Sequence, residues 1–234
     1  MKILAIETSC DETVIALVEA RGGLQNPRFK ILKNLVASQI KIHQPFGGIV
    51  PNLAKREHLR NLPILLNRLI KTNPSKSKIK NPRLPSPNGE VIGGQEKSKI
   101  QIKIQKFLKT IDIIAVTVGP GLEPCLWTGI NFAKELKAKS SLPLRQGFGE
   151  QAKLKAKIIG INHLEGHLYS NWLSQSYETK SRKIEFPAIA LIISGGHTIL
   201  LLIKDLTHWK KLGETRDDAV GEAFDKVARM LKLP

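Results

Sequence analysis

Twice in this chain a short apolar run turns through small, hydroxyl-bearing or acidic residues into a second apolar run: at Ile6-Glu-Thr-Ser-Cys-Asp-Glu-Thr13, and at Ile192-Ile-Ser-Gly-Gly-His-Thr198. Runs this short do not make helices, and the residues between them tolerate tight backbone paths, so each motif reads as a hairpin. Each also opens a three-strand pattern. The first predicts strands at Lys2–Ile6, Thr13–Ala20 and Ile31–Ala37; the second predicts strands at Ala188–Ile193 and Thr198–Ile203 and a short polar strand near Trp209. Between them, leucines at 53, 59, 62, 65, 66 and 69 give a helical period over Leu53–Ile70, with Pro63 marking a kink or a fresh start. A strand at Ile111–Val118 runs through Gly119-Pro-Gly121 into a helix at Leu126–Ala138. A strand at Ile158–Ile161 then runs into a helix from His163 to about Leu173.

The resulting order, βββαβαβα, is that of a ribonuclease-H-like half domain, and its restart after a polar link (174–183) makes the fold class α/β with the actin-like ATPase arrangement of two such halves. The expected domains are a complete first half at 1–173 and an incomplete second half at 184–234, whose helix, Asp218–Leu231, would lack cover for Val220, Phe224 and Val227. Two segments break the scheme and read as insertions. Residues 72–105 hold four prolines, with lysines, serines and little periodicity, and are expected to be a flexible loop; residues 145–157 divide what looks like one strand entrance.

Charge follows the same division. The formal net charge is +17, but Lys71–Lys109 has ten bases against two acids and Lys137–Lys157 six against one. The remainder is nearly balanced, so the basic pI says little about what the folded body binds. No apolar run approaches the ~20 residues of a membrane helix. Cys10 and Cys125 form no CxxC pair, which excludes a disulfide framework or structural zinc site and makes a reducing cytoplasm the expected compartment, with the cysteines and Trp127 and Phe132 as packing residues.

Four clusters bear on chemistry. The turn Glu7–Glu12 can aim amides and the Ser9 hydroxyl at an anion while Asp11 or Glu12 handles a proton, although such residues are also ordinary in solvated turns. Gly195-Gly196 permits positive φ and close approach of a phosphate, and equally suits a plain hairpin. His163 and His167, at i and i+4, share one helix face and can reach one metal ion; Glu165 projects away from them, and the acid spacing is not that of His-Glu-x-x-His, which weighs against a peptidase. Gly166 inside that helix implies that some other group comes close. Asp218, Glu222 and Asp225 form an acidic stripe able to accept from a ribose or an adenine amino group, or simply to face solvent.

Taken together, Ile6–Thr13, Gly47-Gly-Ile-Val-Pro51 with Ala54 and His58, Val116–Leu122, Asn162–His167, Ser194–Thr198 and Gly221–Lys226 resemble, in family order, the TsaD family of tRNA threonylcarbamoyladenosine synthesis proteins, once described as glycoproteases. The resemblance implies an acyltransferase that moves a threonylcarbamoyl group from threonylcarbamoyl-adenylate to N6 of adenosine 37 in tRNAs reading codons that begin with A. It implies one divalent metal, iron by family pattern with zinc or magnesium as alternatives, held by His163 and His167. It further implies substrate binding by Ile192, Ile193, Ser194, Gly195, Gly196 and Asp225, with Asp11 and Glu12 acting near the reacting centre. Implied partners are tRNA and the TsaB and TsaE proteins, with no membrane. The family's later elements, among them a further Gly-Gly, a nucleotide-binding Asn and a metal-binding Asp, have no counterpart here. The alternatives are a non-catalytic scaffold paralogue, which would lack the two-histidine motif, an inactive fragment of the same family, and a sugar-kinase-like or chaperone ATPase, in which Asn162–His167 has no role.

Overall fold

A computed structural model describes residues 1–23, 28–71, 94–141, 156–171, 173 and 185–233. The chain divides into two compact units, Met1–His163 with Leu173–Thr179, and Leu164–Trp172 with Lys180–Pro234. The helix after His163 therefore groups with the second unit, whereas the sequence pattern places it at the end of the first.

The first unit is built on a five-stranded mixed sheet in the order β3-β2-β1-β4-β5. Strands β1 (Lys2–Glu7), β2 (Glu12–Arg21) and β3 (Arg28–Ser38) form the expected antiparallel meander, with a register shift at Leu17/Val18. Strand β4 (Ile113–Gly119) pairs parallel with β1, and β5 (Lys157–Asn162) parallel with β4. This is the ribonuclease-H-like order, and it places the carboxyl ends of β1, β4 and β5 side by side. After β3 come a single turn, α1 (Ile40–His43), and a 3-10 turn, Gln44–Phe46, which ends in Gly47 at φ 66°. Helix α2 (Pro51–Lys71) follows, then α3 (Gly94–Leu108) and α4 (Glu123–Ser141). Leu62, Leu65, Leu66 and Leu69 of α2 pack with Leu4, Ile15, Ile114 and Leu136, all under 3% exposed. Burial of each such side chain contributes on the order of 2 kcal/mol. Pro63 does not start a helix. It lies inside α2 on the exposed side, where the carbonyl it leaves without a donor can turn to water.

The second unit contains α5 from Leu164 onward, a three-stranded antiparallel sheet of β6 (Ala188–Ile193), β7 (Thr198–Ile203) and β8 (Trp209–Glu214), and α6 (Val220–Met230). Helix α5 spans His163–Ser170, starting at the last residue of the first unit. Its small core joins Leu168 to Ile192, Leu201 and Ile203. Phe224, Val227 and Met230 of α6 are exposed.

Several expectations change. Residues 94–105, read as part of a structureless insertion, belong to α3, whose Ile104 and Phe107 pack on the core while Gln105 and Leu108 are buried. The sequence pattern missed this because lysines alternate with isoleucines there. The remainder of that segment, 72–93, and most of 145–157 lie outside the described residues. Trp127 is 49% exposed, with the Lys134 ammonium 5.6 Å from its ring centre, instead of packing inside. Helix α6 starts at Val220, so Asp218 precedes it. Among the described residues, no helix is long and apolar enough to cross a membrane.

Candidate active site

The turn between β1 and β2, Thr8–Asp11, is held from below by its carbonyls. Ser9 O accepts from the Leu122 amide at 2.8 Å, Cys10 O from His58 Nε2 at 3.0 Å and Asp11 O from the Gln39 amide at 2.9 Å. Thr8, fully buried, donates its hydroxyl to Cys125 O at 2.8 Å. Two glycines permit the close fit. A Cβ on Gly121 would stand 2.6 Å from Ser9 O, and one on Gly129 would collide with the Thr8 hydroxyl. Gly119-Pro-Gly121 thus does more than admit the chain into α4: it presses against the turn.

Glu7, the last residue of β1, turns its carboxylate into this cluster. One oxygen accepts from the Ser9 amide and the other from the Thr117 hydroxyl of β4, both at short range. The second oxygen also lies 3.2 Å from His163 Nδ1, which is itself 3.2 Å from Ser9 Oγ. Burial pushes the Glu7 carboxyl up, but the hydrogen bonds from His163, Ser9 and Thr117 outweigh it and bring the pKa down to about 2. An ionised carboxylate can only accept, so Nδ1 of His163 carries a proton in this pair. A carboxylate behind one ring nitrogen is the arrangement that orients a metal-ligating imidazole.

In the second unit, His167 lines a cleft of about 360 Å³ with Leu168, Asn171 and strand β6, including Ile192 and Ile193. Beyond β6, the turn at Ser194 is closed by its own hydrogen bonds: Ser194 N to His197 O at 2.8 Å, and His197 N to Ser194 Oγ at 3.0 Å. The first turn of α6 abuts it. A Cβ on Gly221 would lie 2.7 Å from Ser194 O, and Val220 N donates to Thr198 Oγ1 at 2.9 Å. Asp225 is exposed on α6, while Lys226 pairs with Asp218 and Glu222.

Positive φ, expected at Gly195-Gly196, occurs instead, among the described glycines, at Gly22, Gly23, Gly47, Gly119 and Gly121. Gly166 is exposed, and a Cβ there would meet nothing within 4 Å, so no close approach explains it. Asp11 is half-buried and Glu12 exposed at the start of β2. Glu7 and Thr117 lie inside the sequence motifs without a role of their own there, although an acid closing an apolar strand is itself a signal, because a carboxylate there needs partners. Burial holds both thiols up at about 11, Cys10 with Asp11 adding to the effect, so both are protonated at neutral pH. The residues that could hold a divalent ion are His163, oriented by a carboxylate, and His167, four residues further along α5. Among the described residues no group of three or more His, Cys, Asp or Glu is gathered for one.

The family model for TsaD, tRNA N6-adenosine threonylcarbamoyltransferase, matches residues 30–80, 98–146 and 150–234, and so runs through most of the segment read as a second insertion. The tRNA N6-adenosine threonylcarbamoyltransferase of Dictyoglomus turgidum is 42% identical over 233 residues, covering 100% of this chain and 52% of the relative. That of Fervidobacterium nodosum is 40% identical over 233 residues, again covering 100% and 52%. The chain therefore spans about half the length of the curated relatives it matches. YeaZ from Pseudomonas aeruginosa is a distant structural likeness, with a TM-score of 0.38 and 13% identity over 92% of this chain and 66% of its own. With matched stretches over most of its length and identities near 40%, the chain belongs to the TsaD family.

Proposed function

We propose that this chain supplies the histidine-bearing part of an acyltransferase that moves a threonylcarbamoyl group from threonylcarbamoyl-adenylate to N6 of adenosine 37 in tRNAs reading codons that begin with A, working in the cytoplasm with TsaB and TsaE. Family membership supports the reaction class. The observation that carries the reading within this chain is the Glu7 carboxylate 3.2 Å from His163 Nδ1, which orients that ring. With His167 one turn further along α5, it would hold one divalent ion, iron by family pattern, with zinc or magnesium as alternatives. When bound, that ion supplies positive charge where negative charge develops on the acyl or phosphate oxygen.

The residues of the chain then divide the remaining work. Ile192–Gly196 form a backbone wall for the donor, and Asp225 offers an acceptor to its ribose. The N6 amine attacks the carbamoyl carbon, the bond from that carbon to the phosphate oxygen breaks, adenosine monophosphate leaves, and Asp11 or Glu12 takes the amine proton. The test is a reconstituted assay with threonine, bicarbonate, ATP, unmodified tRNA, the partner proteins and the other half of the Dictyoglomus relative, run beside metal analysis. Modified tRNA from the wild-type chain is expected, together with loss of both product and bound metal in the His163→Ala, His167→Ala double variant. Equal product or equal metal content in the two would overturn the proposal.

A further inference from the structure

Beneath the turn lies a chain of fully buried polar side chains in which every hydrogen bond has only one sense. Cys10 O can only accept, so His58 Nε2, 3.0 Å away, carries a proton. His58 Nδ1 receives the Thr13 hydroxyl at 2.8 Å and the Gln39 side-chain amide at 3.3 Å. The same Gln39 nitrogen reaches Ala54 O at 3.4 Å, which fixes it as the donor end of the amide. Its Oε1 must then accept from His43 Nε2 at 3.0 Å, and His43 Nδ1 accepts from the Val50 amide at 3.3 Å. The sequence of donation is Val50 N–H to His43, His43 to Gln39, Gln39 to His58, and His58 to Cys10 O. Thr13, Gln39, His43 and His58 are each no more than 3% exposed.

We infer that His58 is a positioning residue for the turn that bears Asp11 and leads into Glu12, held as a neutral Nε2–H imidazole by this one-way relay. The inference rests on the proposed function only in giving that turn its role. Of the three consecutive carbonyls that anchor the turn, those of Ser9 and Asp11 meet backbone amides; the middle one alone depends on a side chain. The relay also accounts for the spacing of Gly47–Pro51, Ala54 and His58: Val50 provides its first donor, Ala54 O orients its amide, and His58 ends it. Reversing any member would place two donors or two acceptors face to face in a buried setting, which is costly.

Two measurements on the full chain test this without reference to activity. In long-range proton–nitrogen correlation spectra, His43 and His58 should both appear as neutral Nε2–H tautomers. His163 and His208, whose Nδ1 atoms face Glu7 and Asp205, should appear protonated at Nδ1. Hydrogen exchange should then show the Gln39 amide, bonded to Asp11 O, exchanging at least tenfold faster in His58→Ala, with core amides of β4 changing less than twofold. His58→Gln, whose amide stands as many bonds from Cα as Nε2, should recover to within threefold of wild type; His58→Asn, which mimics Nδ1, should not. Wild-type His58 protonated at Nδ1, an unchanged Gln39 amide in His58→Ala, or equal rescue by Asn and Gln would each overturn the inference. The tautomer measurement stands even if a variant fails to fold, and an inactive reconstitution would not touch either result.

Discussion

Replacing Gly121 with alanine adds one methyl group where the strand-to-helix turn presses on the β1–β2 turn. The new Cβ would lie 2.6 Å from Ser9 O, 2.8 Å from Ser9 Cβ and 3.0 Å from Ser9 Cα. Two of these are backbone atoms, so no rotamer change relieves the contact and the turn itself must retreat. Retreat lengthens the 2.8 Å bond from the Leu122 amide to Ser9 O and draws Ser9 away from Glu7 and His163. Overpacking costs about 1–3 kcal/mol and a lost internal hydrogen bond about 0.5–1.5 kcal/mol, which together give roughly 1.5–4.5 kcal/mol at this locus, centred near 3 kcal/mol. At about 1.4 kcal/mol per tenfold, the Leu122 amide should exchange with solvent roughly 10- to 1,500-fold faster in Gly121→Ala, as local opening is made easier. Native-state hydrogen exchange followed by NMR measures this directly. A Leu122 rate within threefold of wild type would mean that the turn has room to spare and that the fit is not what requires glycine.

Gly166→Ala should act in the opposite direction, raising stability by about 0.5–1 kcal/mol in urea titrations, since a helical glycine is costly and its Cβ would meet nothing; a lowered midpoint would show an unseen close contact. Glu7 titrates from about 2 in the fold against an ordinary 4.5, so its contribution is complete above about 4.5 and fades as pH falls towards 2. That span corresponds to on the order of 3 kcal/mol, and in chelator-treated samples Glu7→Gln should flatten this part of the acid-unfolding curve; an unaltered curve would contradict the assignment. Ile114→Ala, in the middle of β4 at 0% exposure, should lose about 2–5 kcal/mol by denaturant unfolding, and a loss below 1 kcal/mol would place it outside the core.

Much of the fold was legible because its signals are local and periodic. The meander, the two parallel strands and the second hairpin all follow from short apolar runs between turn residues, and the strand at Ala188–Ile193 falls where the pattern puts it. Boundaries drifted by a few residues where polar residues extend a strand, as at Arg28–Ser38. Helix α3 was hidden because its isoleucines alternate with lysines and glutamines through part of its length, a period that suits neither core nor caps until Leu108 and Gln105 are seen to be buried. Pro63 misled for a related reason: its cost depends on which side of the helix it occupies, and sequence does not give the side.

The site was legible in its parts and illegible in its connections. His163 and His167 stand out by spacing, but the carboxylate that orients the His163 ring is that of Glu7, remote in sequence and brought beside it only because β1, β4 and β5 lie together in one sheet. The turn at Thr8–Asp11 shows the same limit from the other side. Its side chains suggested anion or proton chemistry, whereas its rigidity comes from carbonyl groups, which every residue has and no motif can mark. Their partners, Leu122, His58 and Gln39, are drawn from three separate segments, and each becomes specific only when a backbone oxygen lies within 3.0 Å of it. A residue such as His58 could be noticed in the sequence as part of a recurring pattern, yet its task follows from the direction of the hydrogen bonds it is forced to make.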